Sequence, residues 1–316
     1  MEQEQKNSAD LMTDLPHDFV AGSVAGAASM IPSHPLDLVK VRQQTLKLKG
    51  AGITSFCEIA KKEEFIKGLY KGMSFPIVGQ AIINSIVFMT QGFTEKLLKK
   101  SKMKDAGAQF LSGGFGGAVQ SLVCSPMELV KIQMQLKDVG VVRSADYRRS
   151  TMEFKNIKRQ GGIMWGVYRG FWITTVRDTT GFAFYFCSYH TIRVQVLNTF
   201  YQEEKESGEM TIEKLPWQIL GLAGGTAGCI SWAVNYPVDV FKTLIQEDAL
   251  KEMLAKEKGE LYHKEYTGAY DCAKKVLARD GIKGYYRGMI FSLIRAFANS
   301  AVLLPIHTTL FNYLKN

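Results

Sequence analysis

Three charged side chains stand within otherwise apolar stretches of this 316-residue sequence: Arg177, Asp178 and Arg295. Charged groups are costly to place away from water, so in such stretches they commonly mark a binding site. A guanidinium grips a carboxylate through paired hydrogen bonds, and a carboxylate holds a cationic amine or ammonium group. The three side chains together would satisfy both charges of a zwitterion. Two structural alternatives stay open, an Arg177–Asp178 ion pair between helices and an Arg295 side chain that extends to an interface.

A second group of charged residues repeats three times in the pattern Pro-x-acid-x-x-base, with a Gln four residues after the base. The acid and the base lie three residues apart, near one face of a helix, and a Pro inside a helix should kink it. One such motif would be an ordinary helix end. Three motifs in register predict ion pairs that close a passage and can be exchanged for other contacts. The motif residues are Pro35, Asp37, Lys40 and Gln44, then Pro126, Glu128, Lys131 and Gln135, then Pro237, Asp239, Lys242 and Gln246.

Two further features recur at matching positions in each third of the chain. A pair of glycines four residues apart precedes each motif Pro, and such pairs let helices approach closely. An aromatic-base-Gly triplet follows later, at a helix start whose free backbone N–H groups attract anions such as lipid phosphate. Basic side chains that simply face water are the alternative. The pairs are Gly22/Gly26, Gly113/Gly117 and Gly224/Gly228, and the triplets are Tyr70-Lys71-Gly72, Tyr168-Arg169-Gly170 and Tyr286-Arg287-Gly288.

All of these residues need long helices to position them. Five segments run for about 18 residues or more without a charge, which is the length that a membrane-spanning helix requires. A sixth qualifies except for Arg177 and Asp178. Their Gly, Ser, Thr, Asn and Gln residues predict one face that is turned from lipid toward other helices or water. The segments are 19–36, 72–94, 106–127, 170–192, 215–238 and 296–314.

Composition narrows the function class. The 39 basic residues exceed the 30 acidic ones, a net charge of +9, but they are scattered among acids. This favours a protein beside anionic lipid over a nucleic-acid binder. Five dispersed cysteines fit neither a metal site nor a disulfide framework, and no nucleophile–base set or phosphate loop indicates an enzyme. Residues 1–18 lack the features of a secretory signal or transit peptide, so any organelle address is expected inside the mature chain.

The tripled acid–base motif, the glycine pairs and the aromatic-base-Gly triplets resemble the mitochondrial carrier family over about residues 15–315. The resemblance implies an all-α membrane protein: six transmembrane helices in three tandem two-helix repeats, with pseudo-threefold symmetry and short matrix helices. It implies a polar tail at 1–14 and repeats at 15–100, 101–200 and 201–316. It also implies a multi-pass protein of the mitochondrial inner membrane that needs no cofactor.

The resemblance also assigns roles to residues. It pairs Asp37 with Lys131, Glu128 with Lys242 and Asp239 with Lys40 as a gate on the matrix side, braced by Gln44, Gln135 and Gln246. It makes three positions on the even-numbered helices the substrate contacts: Gly79 with Gln80, Arg177 with Asp178, and Arg295. It makes the phosphate of cardiolipin the ligand of the triplets, through Lys71, Gly72, Arg169, Gly170, Arg287 and Gly288.

One departure concerns the second, cytosolic gate of the family. That gate uses an aromatic-acid-x-x-base motif near the end of each even-numbered helix. The matching segments begin at Gln91, Tyr189 and His307, and they supply no complete acid–base pair. We therefore expect this gate to be weak, differently built or unused.

The function implied by the resemblance is transport of a small metabolite by alternating access, as antiport or uniport. The Arg177–Asp178 pair is similar to that of amino-acid and carnitine carriers. Gly79 offers no acid for a second ammonium group, which ranks a carnitine-like or neutral zwitterion above a dibasic substrate. The alternative is a carrier-fold structural subunit of a larger inner-membrane complex with little or no transport. Nucleic acid is not an expected partner.

Overall fold

The computed structural model describes residues 14–33, 74–137, 170–208, 210–258, 261–286 and 289–315, together with 155, 159 and 168. Within these ranges every regular element is helical, and a long helix occupies each of the six predicted apolar segments. In chain order the helices are α1 over 14–33, α2 Ser74–Lys100, α3 Asp105–Lys137, α4 Phe171–Phe200, α5 Gln202–Glu206, a 3-10 turn at Ile212–Lys214, α6 Trp217–Lys258, α7 Ala269–Asp280, α8 Ile282–Tyr285 and α9 Met289–Lys315.

The start of α4 shows what the aromatic-base-Gly triplet does locally. Gly170 has a φ of 80°, in the left-handed region that glycine adopts without a steric penalty from Cβ, and α4 begins at the next residue. The Tyr168 hydroxyl donates a hydrogen bond to the carbonyl of Leu122 in α3, at 3.1 Å. The triplet thus opens an even-numbered helix, as the sequence predicted, and joins its start to the preceding helix.

The six long helices, α1, α2, α3, α4, α6 and α9, form a closed ring. Each contacts the next along the chain, and the last returns to the first. Polar side chains make a bond at every junction. These bonds are Ser23–Ser85 at 2.6 Å, Gln91–Gln109 at 3.1 Å, Ser121–Thr175 at 2.9 Å, Ser231 to the Gly181 carbonyl at 2.7 Å, Cys229 to the Leu293 carbonyl at 3.6 Å, and Ser33–Asn299 at 3.5 Å.

The glycine pairs lie at three of these junctions. A Cβ atom at Gly22 would come within 2.9 Å of the Ser85 Cα, and one at Gly113 within 2.5 Å of the Phe182 carbonyl oxygen. Gly224 meets the Ser300 carbonyl in the same way, at 2.7 Å. Only glycine permits backbones to come this close. The predicted close approach of helices at the glycine pairs is therefore confirmed, and the neighbours are α2, α4 and α9 respectively.

Two of the described helices are long and apolar enough to cross a membrane on length and composition alone, over Ile77–Lys100 and Ser292–Lys315. In α3, α4 and α6, glycines and polar side chains that face neighbouring helices lower the mean hydropathy. Both α3 and α6 contain a Pro and continue beyond it, Pro126 and Pro237 respectively. A kink at these prolines stays a prediction.

The ring has two chemically different ends. We call the end that carries residue 14 of α1 and Lys315 of α9 the terminal end. The opposite end, where Glu128 and Lys242 follow the prolines of α3 and α6, is the proline end. Apolar side chains from α1, α2, α4, α6 and α9 fill the centre of the ring toward the terminal end. This core comprises Ala25, Val87, Phe88, Tyr185, Phe186, Tyr189, Ala223, Ala227, Leu303 and Leu304.

Candidate transport site

Arg177 of α4 lies at the centre of an ionic network on the proline side of this core. Its Nη2 lies 3.0 Å from the Glu128 carboxylate on α3, and its Nη1 lies 3.3 Å from Asp239 on α6. Its Nε donates to Asp178 Oδ1 at 2.6 Å. One guanidinium therefore holds three carboxylates from three helices. Sequence reasoning placed Arg177 among the substrate contacts and did not find its bonds to Glu128 and Asp239, the two predicted gate acids.

Lys242 of α6 completes the described part of this network. Its ammonium group donates to Glu128 Oε2, so the two oxygens of Glu128 have different cationic partners. Lys242 is only 2% exposed. Removing a charge from water costs free energy unless a partner compensates it, and here each buried cation has a carboxylate. Glu128 and Lys242, one of the three predicted gate pairs, are thus in contact.

Tight packing between α3, α4 and α6 fixes the position of Arg177. Asn235 of α6 donates to the Arg177 carbonyl at 2.6 Å and accepts from Thr180 at 2.9 Å. Gly117 of α3 packs against the carbonyl of Asp178, where a side chain would not fit. Since consecutive residues point about 100° apart on a helix, Asp178 turns toward α3 while Arg177 reaches Asp239 on α6.

The other predicted substrate contacts lie on α2 and α9, the second and the sixth of the six long helices. The Arg295 guanidinium of α9 stands 5.0 Å from the ring centroid of Trp232, a residue of α6 less than one turn from Asn235. This contact has the geometry of a cation–π interaction. Gly79 of α2 faces Met127, the neighbour of Glu128, since a Cβ there would lie 3.0 Å from the Met127 Cε. The role of these positions, and of Gln80 beside Gly79, as substrate contacts stays a prediction.

Aromatic rings of α2, α4 and α9 pack together at the terminal end. The Phe88 and His307 rings stack with centroids 3.7 Å apart, joining α2 to α9. Phe88 also meets Phe186 of α4 edge-on at 5.7 Å. The Arg193 guanidinium lies 4.1 Å from the Tyr189 ring centroid, one turn away on α4. These rings pack close to the segments that match the family's cytosolic gate motif, which supply no complete acid–base pair in this sequence.

Two acidic residues of α1 contact basic side chains at the same end. Asp14 binds Lys96 of α2 and, at 3.2 Å, Lys315 of α9. Asp18 lies 3.6 Å from His307 Nε2. Both acids are 6% exposed. Sequence reasoning missed them because it sought the acids of this gate on α2, α4 and α9. Their spacing of four residues, which puts both on one face of α1, was the available signal.

Several predicted residues fall outside this description. The structure does not describe Asp37, Lys40, Gln44, Lys71, Gly72, Arg169, Arg287 and Gly288, and it describes the backbone alone of Lys131, Gln135 and Gln246. The pairs Asp37–Lys131 and Asp239–Lys40, the glutamine braces and the triplet lipid sites stay predictions.

The six long helices are joined by polar side chains, expose large apolar side chains such as Phe115, Leu222 and Ile294, and hold an ionic network among α3, α4 and α6. This arrangement indicates a helical membrane protein with a polar interior. The family model described as "Mitochondrial carrier protein" matches residues 13–102, 103–199 and 213–316. The chain therefore belongs to the mitochondrial carrier family, whose members are multi-pass transporters of small molecules in the mitochondrial inner membrane and are not enzymes.

Individual relatives cover almost the whole chain. The mitochondrial basic amino acids transporter of Mus musculus is 34% identical over 299 residues, which span 94% of this chain and 89% of the relative. Its Bos taurus counterpart is 33% identical over 299 residues, 94% of this chain and 91% of the relative. A mitochondrial carnitine/acylcarnitine carrier-like protein of Arabidopsis thaliana is 29% identical over 320 residues, 94% of this chain and 98% of the relative.

Proposed function

We propose that this carrier moves a small zwitterion, an amino acid or a carnitine-like compound, across the inner membrane by alternating access. The central observation is that Arg177 holds Glu128 and Asp239 while it contacts Asp178. In this proposal six spans in three two-helix repeats, 15–100, 101–200 and 201–316, surround the pathway with pseudo-threefold symmetry. The proline end faces the matrix, and α7 is one of the short matrix helices.

The network suggests how substrate would open the matrix side. A substrate carboxylate that binds Arg177 competes directly with Glu128 and Asp239 for the same guanidinium. Each gate acid that loses Arg177 is left with fewer compensating charges in a partly dry site, so the closed arrangement becomes less stable. Because a ligand shifts a conformational equilibrium only through its different affinity for the two states, this competition supplies the required difference.

The contacts at the terminal end support a second gate that is built differently from the family motif. Asp14 ties α1 to α2 and α9 through Lys96 and Lys315, and Asp18 meets His307 of α9. We propose that these bonds and the stacked rings hold the cytosolic side closed and must break for that side to open. Two closures that open in turn are what alternating access requires, whether as antiport or uniport.

The names of the relatives widen the range of substrates. Carriers of basic amino acids and a carnitine carrier-like protein match this chain over similar lengths. All of these substrates can present a carboxylate to an arginine and a cationic nitrogen to Asp178. Gly79 provides no second acid, so we still rank substrates with one cationic group first.

Lipid and protein partners belong to the same proposal. The start of α4 after Gly170 has no side-chain cap, and a helix N-terminus attracts anions, so a lipid phosphate suits this position and cardiolipin is the candidate. The alternative role, a structural subunit of a larger inner-membrane complex, would appear as co-migration with that complex in mild detergent together with absence of transport.

The proposed function is tested by uptake into liposomes that contain the purified protein. We expect uptake of radiolabelled carnitine, lysine or a neutral amino acid, and loss of uptake in Arg177→Ala and Arg295→Ala variants. Arg279→Ala is the matched control, because Arg279 is exposed on α7 and, among the residues that the structure describes, pairs with Asp280 and Glu265. Uptake that survives both site substitutions would show that the proposed site is wrong.

A further inference from the structure

Gln120 of α3 is a buried polar residue beside the proposed site that the function above does not use. It is 3% exposed, and its Nε2 donates to Asp178 Oδ2 at 2.7 Å. An ionised carboxylate only accepts hydrogen bonds, so the nitrogen of the amide, and not its oxygen, must face Asp178. This contact fixes the orientation of the amide, which is otherwise ambiguous.

The other end of the same amide is left without a hydrogen bond. Gln120 Oε1 is buried and has no partner among the residues that the structure describes. A buried carbonyl oxygen that makes no hydrogen bond is unfavourable, and native proteins rarely leave one unsatisfied. Because Oε1 and Nε2 share one carbon, this acceptor lies directly beside the Asp178 carboxylate, where the proposed function places the cationic group of the substrate.

We propose that Gln120 is a specificity-determining residue that selects substrates whose cationic group carries N–H bonds. The proposal rests on the proposed function. A primary ammonium or a guanidinium donates one hydrogen bond to Asp178 and another to Gln120 Oε1. A trimethylammonium group has no N–H to donate, so it leaves the buried oxygen unpaired. Sites built around a hydrogen bond discriminate strongly against analogues that lack the donor.

The exchange of partners at Asp178 makes room for this contact. In the structure Arg177 Nε donates to Asp178 Oδ1 at 2.6 Å. A substrate carboxylate that draws Arg177 toward itself frees Oδ1, and the substrate ammonium takes the place of the guanidinium. Gln120 keeps its bond to Oδ2 and so holds the carboxylate still while its own oxygen receives the second N–H. Amino acids with a free ammonium group are thus preferred over betaines such as carnitine.

The test compares compounds that differ only in methylation of the nitrogen. Carnitine is paired with 4-amino-3-hydroxybutyrate, and Nα-trimethyl-lysine with lysine, in liposomes that contain the full-length protein. For the wild-type protein we expect a KM about tenfold or more lower for the primary ammonium member of a pair. In Gln120→Met the two members should become nearly equal. Gln109→Met is the matched control, since Gln109 is also a buried glutamine of α3 but its oxygen accepts from Gln91, and it should leave the ratio unchanged.

The outcomes separate this inference from the proposed function. Uptake of no compound in either pair would overturn both. Uptake with equal KM values in the wild-type protein, or with the same preference in wild-type and Gln120→Met proteins, would overturn the role of Gln120 alone. The wild-type comparison decides the matter even if the variant does not fold. A merely structural glutamine would alter uptake of both members equally and leave their ratio intact.

Discussion

Replacement of Lys242 by Met should destabilise the closed arrangement at the proline end by about 3 kcal/mol. Lys242 is buried and binds one oxygen of Glu128, while Arg177 binds the other. Loss of one partner from a buried ion pair costs about 3–5 kcal/mol, and the remaining bond to Arg177 places the expected value at the lower limit. With an unfolding entropy of about 2.1 cal/mol/K per residue, the 316 residues give a fall in the thermal midpoint of about 5 °C.

The assay is thermal unfolding of purified protein in mild detergent, followed by tryptophan fluorescence, as a double-mutant cycle with Glu128→Gln. If the two side chains interact as the structure shows, the double variant should be more stable than the sum of the single effects predicts, by at least about 1 kcal/mol. Lys264→Met is the matched control, because Lys264 is an exposed partner of Glu252 at 3.2 Å, and exposed pairs contribute about 1 kcal/mol or less. Additive effects within about 0.5 kcal/mol would show that Lys242 and Glu128 do not stabilise the protein as a pair.

Three further predictions concern other parts of the molecule. An Asp14→Asn, Asp18→Asn double variant should lower the thermal midpoint by about 3 °C, because it weakens the bond of buried Asp14 to Lys315 and the contact of buried Asp18 with His307. An unchanged midpoint would contradict a closure at the terminal end. Gly113→Ala should destabilise the protein by about 2 kcal/mol or more, since the new Cβ would lie 2.5 Å from a carbonyl oxygen. Gly268→Ala is the control: a Cβ at Gly268 would have no atom within 4 Å among the described residues, so this variant should change the thermal midpoint little. Burial raises the pKa of the Cys272 thiol in α7 to about 11, so little thiolate forms at neutral pH and maleimide should modify it only after unfolding; rapid labelling of the folded protein at pH 7 would contradict this.

The sequence predicted those features of the fold that local pattern controls. A run of about 18 or more residues without a charge predicts a membrane-spanning helix, and Gly22 with Gly26 predicts a close helix neighbour without identifying it. Repetition added more, since the three motifs in register carry the resemblance to the mitochondrial carrier family, and that resemblance paired Glu128 with Lys242 of the next repeat. The contact between these two residues follows from chain order around the ring.

The contacts that the sequence did not predict depend on how the helices rotate and tilt against each other. Whether Arg177 reaches two gate acids, or only its neighbour Asp178, changes with a small rotation of α4 that no sequence pattern records. Asp14 and Lys315 lie at opposite ends of the chain and meet only because α1 and α9 close the ring. Gln120 was overlooked for a similar reason, because a glutamine inside an apolar segment predicts some polar contact but not which one.

The central claim is that substrate takes Arg177 from the acids of the proline end, and Cys124 reports on it directly. This cysteine is 6% exposed and lies one helical turn before Glu128 on α3. In a variant that keeps Cys124 as its single cysteine, we predict that a transported zwitterion accelerates labelling by a water-soluble thiol reagent. With Arg177→Ala added, labelling should be fast at the outset and insensitive to substrate. A transport-active protein whose Cys124 labels at the same slow rate with and without substrate would contradict the account.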